Sequence, residues 1–158
     1  KAVYLKSSGF SKGLENPDDF KYTALYHKIP AVQKLVDHFQ LQTTRVRIHR
    51  QLPGQEIPLH TDGNNTAVKD KNDYMIRSIT ALTASKDFTY KFIDTENKRR
   101  VQWLKQGETI FFDPDLVAHG MSNESTTETR YALVQIFKLY PVTAWARDFI
   151  STEKVVTI

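Results

Sequence analysis

"RVRIHRQLPGQEIPLHTDG" (45–63) reads as a strand, a tight turn and a second strand. In the first strand Val46 and Ile48 alternate with Arg45, Arg47 and His49, the period of two that a half-buried strand requires. Pro53-Gly54 suits a type II turn, because proline presets φ at its second position and glycine accepts the positive φ of its third. The second strand is "QEIPLH". Residues two apart on a strand share a face, so if the strand runs on to position 62, His60 and Asp62 point to one place. With five histidines and eleven aspartates in 158 residues, a His-x-Asp arises by chance roughly one time in three. The spacing alone does not make a metal site.

Outward from this hairpin the pattern repeats. Further strand candidates follow at "YMIRSITALT" (74–83), "DFTYKFID" (87–94), "RVQWLKQ" (100–106), "ETIFFD" (108–113) and "RYALVQIFKL" (130–139). Short strands at this spacing mean a mainly β domain: a sandwich, jelly roll or barrel. One helix is expected in "PAVQKLVDHFQ" (30–40), with Pro30 at its first position and Val32, Leu35, Val36 and Phe39 on one face, which would cover one sheet. The rest of residues 1–30 reads as irregular, with a turn at "NPDD" (16–19).

The length fits one domain spanning 1–158, and a chain of this size buries roughly 68–70% of its unfolded surface. No repeat or linker-like shift in composition divides it. The absence of cysteine excludes a disulfide framework, a thiolate zinc cluster and a cysteine nucleophile, leaving histidines and carboxylates as the strong metal ligands. No apolar run approaches the roughly 20 residues of a membrane helix, and the expected state is soluble and cytoplasmic. The net charge of +4 favours anionic partners in a general way. Basic runs at 45–50 and in "ENKRR" (96–100) are not interleaved with aromatics as a base-stacking surface would be, so nucleic acid is not the expected partner.

Two further elements bear on the His-x-Asp. "GETIFFDPDLVAHGMSN" (107–123) opens on a Gly-Glu turn, runs through an apolar strand and a proline corner, and brings His119 to the start of another short strand or turn. Two histidines and one carboxylate form the facial set that holds non-haem Fe(II) with positions left open. Arg130 heads the strand "RYALVQIFKL". Such an arginine is either a surface residue at a loop-to-strand transition or a guanidinium projecting into an apolar barrel, where a bidentate anion would justify its burial.

The order His60-x-Asp62, His119, Arg130 on the strands of a compact β domain resembles the Fe(II)- and 2-oxoglutarate-dependent dioxygenases. The resemblance covers roughly 45–139. "RVRIHRQLPGQEIPLHTDG" and "GETIFFDPDLVAHGMSNES" are most similar to the aspartyl/asparaginyl β-hydroxylase-like branch, which includes free-proline hydroxylases. It implies a double-stranded β-helix (jelly-roll, cupin-like) barrel, with His60, Asp62 and His119 as iron ligands. Arg130 would pair with the distal carboxylate of 2-oxoglutarate, and Arg77, on "YMIRSITAL", would reach a cosubstrate or substrate carboxylate. Two features depart from common patterns in such enzymes: some aspartyl hydroxylases lack the carboxylate that Asp62 supplies, and many relatives carry Ser or Thr where Ala132 stands.

The implied reaction is hydroxylation of an amino acid or peptide side chain, consuming O2 and 2-oxoglutarate and yielding succinate and CO2. A carboxylate-bearing small molecule or peptide would be the substrate. Phe111, Phe112, Tyr90, Phe92 and Trp103 are candidates to wall the barrel, and the polar stretch from Gly63 to Asp73 is a candidate lid. Two other functions stay open at this point: a non-catalytic β-barrel ligand-binding module, and a cupin-type metalloenzyme that does not use 2-oxoglutarate.

Overall fold

The computed structural model describes residues 1–8, 17–40, 42–62, 74–93, 96–139 and 154–157. Eleven strands lie among them: β1 Ala2–Ser7, β2 Lys21–Tyr22, β3 Thr43–Gln51, β4 Glu56–His60, β5 Tyr74–Ala81, β6 Phe88–Ile93, β7 Arg99–Gln102, β8 Glu108–Phe112, β9 Ala118–Asn123, β10 Arg130–Leu139 and β11 Lys154–Thr157. They form a seven-stranded sheet, in the order β11-β8-β5-β10-β3-β1-β2, and a four-stranded sheet, in the order β4-β9-β6-β7. Every pairing is antiparallel. This is the double-stranded β-helix, or jelly roll, that the motif order implies.

The alternation read in the sequence decides which side chains meet. Ile79 and Ala81 of β5, Ile110 and Phe112 of β8 and Ala132 and Val134 of β10 join Tyr90 and Phe92 of β6 and Met121 of β9 in one buried cluster between the sheets. On the outer face of the large sheet, Leu5, Val46 and Leu133 pack with Tyr26, Val32 and Val36. Val32 and Val36 belong to α1 (Pro30–Asp37), which begins at Pro30 as expected and covers this sheet. Beyond its end, Phe39 reaches Phe111 with ring centroids 4.9 Å apart.

The Pro53-Gly54 turn forms as read, with Gly54 at φ 72° and the Gln55 N–H donating to the Leu52 carbonyl at 3.1 Å. Three expectations differ. The N-terminal segment is not irregular throughout, because β1 pairs with β3; with β11 on β8, the large sheet extends past the expected 45–139 core. Phe111 does not wall the barrel: it follows the outward face of β8, where it meets Phe39, while its neighbour Phe112 faces in. Trp103 is 57% exposed and lies past the end of β7, its indole N–H donating to the Lys86 carbonyl. The lid candidate, 63–73, lies outside the described residues.

Candidate metal centre

β4 and β9 pair so that His60 stands directly opposite His119. The register from Ile57↔Met121 to His60↔His119 carries one extra residue on β4, a bulge at Pro58 and Leu59. Proline lacks the N–H that a regular ladder would use, and the bulge turns His60 toward its partner. Opposite it, Gly120 lets the two backbones close: a Cβ there would lie 2.8 Å from the Ile57 carbonyl oxygen and 3.0 Å from the Leu59 nitrogen. β4 ends at His60, yet Asp62 is held in line because its N–H donates to the Pro114 carbonyl at 2.9 Å. Pro114 sits in the corner between β8 and β9, which Asp113 tightens by accepting from the N–H groups of Asp115 and Leu116.

The three side chains converge. One donor atom from each of His60, Asp62 and His119 lies within 4.8 Å of the other two. His60 Nε2 is 3.4 Å and His119 Nε2 3.7 Å from Asp62 Oδ1. Two ligands about 2.1 Å from one ion at right angles stand about 3 Å apart, so both histidine contacts to Asp62 are slightly wider than that and the set must contract to close on an ion. His60 Nδ1 lies 2.8 Å from the Pro58 carbonyl and His119 Nδ1 3.0 Å from the Val117 carbonyl. A carbonyl only accepts, so both imidazoles carry their proton on Nδ1 and direct an Nε2 lone pair toward the Asp62 side. This is the tautomer a metal requires. Burial first, and then the Arg77 charge, pushes the His119 pKa down to about 4, which keeps the ring neutral.

Arg77, on the inward face of β5, reaches the same point. Its Nη1 donates to His119 Nε2 at 2.7 Å and its Nη2 pairs with the Asp62 carboxylate. Burial lowers its pKa while Asp62 opposes that shift. A cavity of about 220 Å³ opens on these groups, walled further by Arg45, Arg47 and His49 of β3 and by Ile57, Gly120 and Met121. The β3 alternation accounts for three of these basic groups: Val46 and Ile48 pack toward the outer cluster, so Arg45, Arg47 and His49 face inward. That signal was present in the strand pattern, although charge on one face of a strand ordinarily marks the solvent side.

Arg130 is only 1% exposed and does not line this cavity. Its guanidinium lies over the Tyr90 ring, 3.9 Å from the centroid, and Nη1 donates to Gln51 Oε1 at 2.9 Å. Gln51 in turn donates to the carbonyl of Met121, a cavity residue, so Arg130 stands one layer behind the wall. Its Nε and Nη2, the two atoms of the guanidinium's side edge, make no hydrogen bond among the described residues.

The model of the aspartyl/asparaginyl β-hydroxylase family matches residues 1–138. The chain belongs to that family. Among solved structures, an oxidoreductase of the 2OG-Fe(II) oxygenase family from Burkholderia pseudomallei shares the fold, with TM-score 0.60 and 15% identity over 89% of this chain and 67% of that one. A Pseudomonas putida prolyl-4-hydroxylase has TM-score 0.48 and 15% identity, covering 75% and 66%. A hazelnut vicilin has TM-score 0.43 and 16% identity, covering 72% of this chain and only 26% of the vicilin. The β-hydroxylase-family chain thus spans between a quarter and two thirds of these neighbours. No curated protein matches it. No helix among the described residues is long and apolar enough to cross a membrane.

Proposed function

We propose that this β-hydroxylase-family protein is an Fe(II)- and 2-oxoglutarate-dependent hydroxylase acting on a carboxylate-bearing amino acid or peptide side chain. The observation that carries the reading is the convergence of two Nε2 lone pairs and one carboxylate oxygen at the bulged end of the β4–β9 pair. The donor chemistry fits iron: two neutral imidazoles and one carboxylate on one side leave the other side open. The backbone carbonyls of Pro58 and Val117 hold the two rings in the ligating tautomer, as outer partners of metal-bound histidines do. Iron, 2-oxoglutarate and O2 together supply oxidative decarboxylation of the cosubstrate, releasing succinate and CO2, coupled to insertion of one oxygen atom into a substrate C–H bond.

The chain's own contribution is position and charge. Asp62 offsets part of a divalent charge, and Arg77, which must release the His119 Nε2 lone pair for an ion to bind there, then stands as a cation beside the ligands for an anionic group. Arg130 stands behind the cavity wall, and its Nε and Nη2 edge, without a partner among the described residues, is the bidentate match for a distal carboxylate of 2-oxoglutarate that extends past that wall. Ile57 and Met121 supply the apolar part of the wall. Under nitrogen, Fe(II) with 2-oxoglutarate should give a visible charge-transfer band that His119→Ala abolishes. Iron binding without the band would point to a cupin-type metalloenzyme, and no metal binding at all would leave a ligand-binding barrel.

A further inference from the structure

The two edges of the four-stranded sheet differ in what could pair with them. β4, at one edge, carries Pro58 and a bulge, and both interrupt a ladder. β7, at the other edge, has neither. Its register against β6 runs unbroken from Tyr90↔Gln102 to Ile93↔Arg99, and no second strand lies beside it among the described residues. An antiparallel edge strand turns the N–H and C=O groups of alternate residues away from its sheet, where another extended chain can meet them. Arg99, Arg100 and Val101 are exposed along this edge. Arg99 and Val101 share one face, and the exposed Trp103 continues past the strand end, its indole held by the Lys86 carbonyl. From Arg99 to Lys105 the chain carries three cations and no carboxylate.

We propose that β7 is a docking edge for an acidic, extended polypeptide segment of another protein, which adds to the four-stranded sheet as one further strand. The docking stands apart from the oxygenase reading and needs neither metal nor cosubstrate. Cations on an edge strand ordinarily deter pairing, because a neutral strand would desolvate them and a basic one would repel them. An acidic strand removes that penalty. Its carboxylates, set across from Arg99 and Arg100, make charge-assisted cross-strand pairs while the main chains supply the ladder. A second copy of this chain fits worse, since antiparallel pairing of β7 with itself would set four arginines along one short ladder. Val101 and the Trp103 ring offer apolar contact to alternate side chains of the incoming strand. Nucleic acid fits worse again: Trp103 is the single aromatic between Arg99 and Lys105, where a base-stacking surface needs several.

The test is binding of short fluorescein-labelled probes to the full chain, read by anisotropy. The probes are a peptide of alternating Glu and Val, its Lys and Val counterpart, the Glu peptide N-methylated at successive residues, and oligothymidylate. The Glu peptide should bind roughly tenfold or more tightly than the Lys peptide, through opposed charge, and than its N-methylated form, which keeps the charge but cannot complete the ladder. Arg99→Glu combined with Arg100→Glu should reverse the preference between the two charged peptides, with circular dichroism melts confirming the fold. Arg99→Gln alone, which only removes a charge, should weaken the Glu peptide by up to about fivefold, the worth of one cross-strand charge pair, even if the double variant does not fold. Equal binding of the N-methylated peptide would reduce the edge to a charged patch and overturn the proposal. So would an unchanged preference in a folded double variant, tighter binding of oligothymidylate, or no binding of the Glu peptide at about 1 mM, the weak end of measurable affinity. Sedimentation that shows a dimer broken by Arg99→Glu would give the edge to a second copy instead.

Discussion

At the scale of single residues, the two arginines read from sequence differ in how much of their hydrogen-bonding capacity the protein uses. Arg77 uses both Nη atoms on His119 and Asp62, whereas the side edge of Arg130, behind Gln51, has no partner among the described residues. Arg130→Ala is expected to weaken 2-oxoglutarate binding roughly 10- to 100-fold, the range for a lost charge-assisted bidentate contact, with less than a few-fold loss of metal affinity. Parallel titrations of both ligands check this; equal losses would mean that the substitution disturbs the core around Tyr90 instead. The resemblance to the dioxygenases grouped His60, Asp62, His119, Arg77 and Arg130, and Arg77 entered by that resemblance alone. Residue identity did not distinguish Arg45 and Arg47, which line the cavity, from Arg50, since three arginines in six positions differ only in which way the strand faces and what lies behind it.

Among the elements, the β4–β9 pair decides the site. Its bulge offsets the ladder by one residue, and a one-residue slip would send His60 to the opposite face. Gly120 permits that close approach, so Gly120→Ala must push β4 away from a Cβ that would otherwise sit 2.8 Å from a carbonyl oxygen. A loss of about 1–3 kcal/mol is expected, or roughly 2–4 °C of melting temperature per kcal/mol at this chain length, with metal affinity falling further than stability requires. Thermal melts beside metal titrations test it, and unchanged values for both would show that the bulge is not needed. The strands that the sequence left unread, or open between strand and turn, are explained here too. β1 buries only Leu5 among its six residues, so "AVYLKS" shows little alternation. β9, "AHGMSN", is poor in strand-forming residues and is extended because β4 and β6 pair with it on both sides.

For the whole molecule, the interior between the sheets holds both an apolar cluster and a set of basic groups, and this arrangement has a pH cost. His49 is half-buried beside Arg47 and Arg77, and desolvation first, then the Arg47 charge, hold its pKa near 3 against an ordinary value of 6.5. Below pH 6.5 the unfolded chain takes up a proton that the fold refuses, so stability falls as pH drops from about 6.5 toward 3. The slope approaches about 1.4 kcal/mol per pH unit for one such group. Melts of the metal-free protein between pH 7.5 and 4.5 should show a steady decline that is shallower in His49→Gln; an unchanged slope would assign the acid sensitivity to other groups. The local pattern of the sequence determined the strands from β3 to β8, the β10 strand, the Pro-Gly turn, the helix start and the types of donor atom available, because period-two alternation and turn chemistry are properties of neighbouring residues. Only the tertiary structure decided that His60 meets His119 across a bulge, that Phe112 rather than Phe111 faces the core, and that Arg47 lines the cavity while Arg130 stands behind it. Those outcomes depend on register and on packing between segments far apart in the chain, and no local preference encodes them.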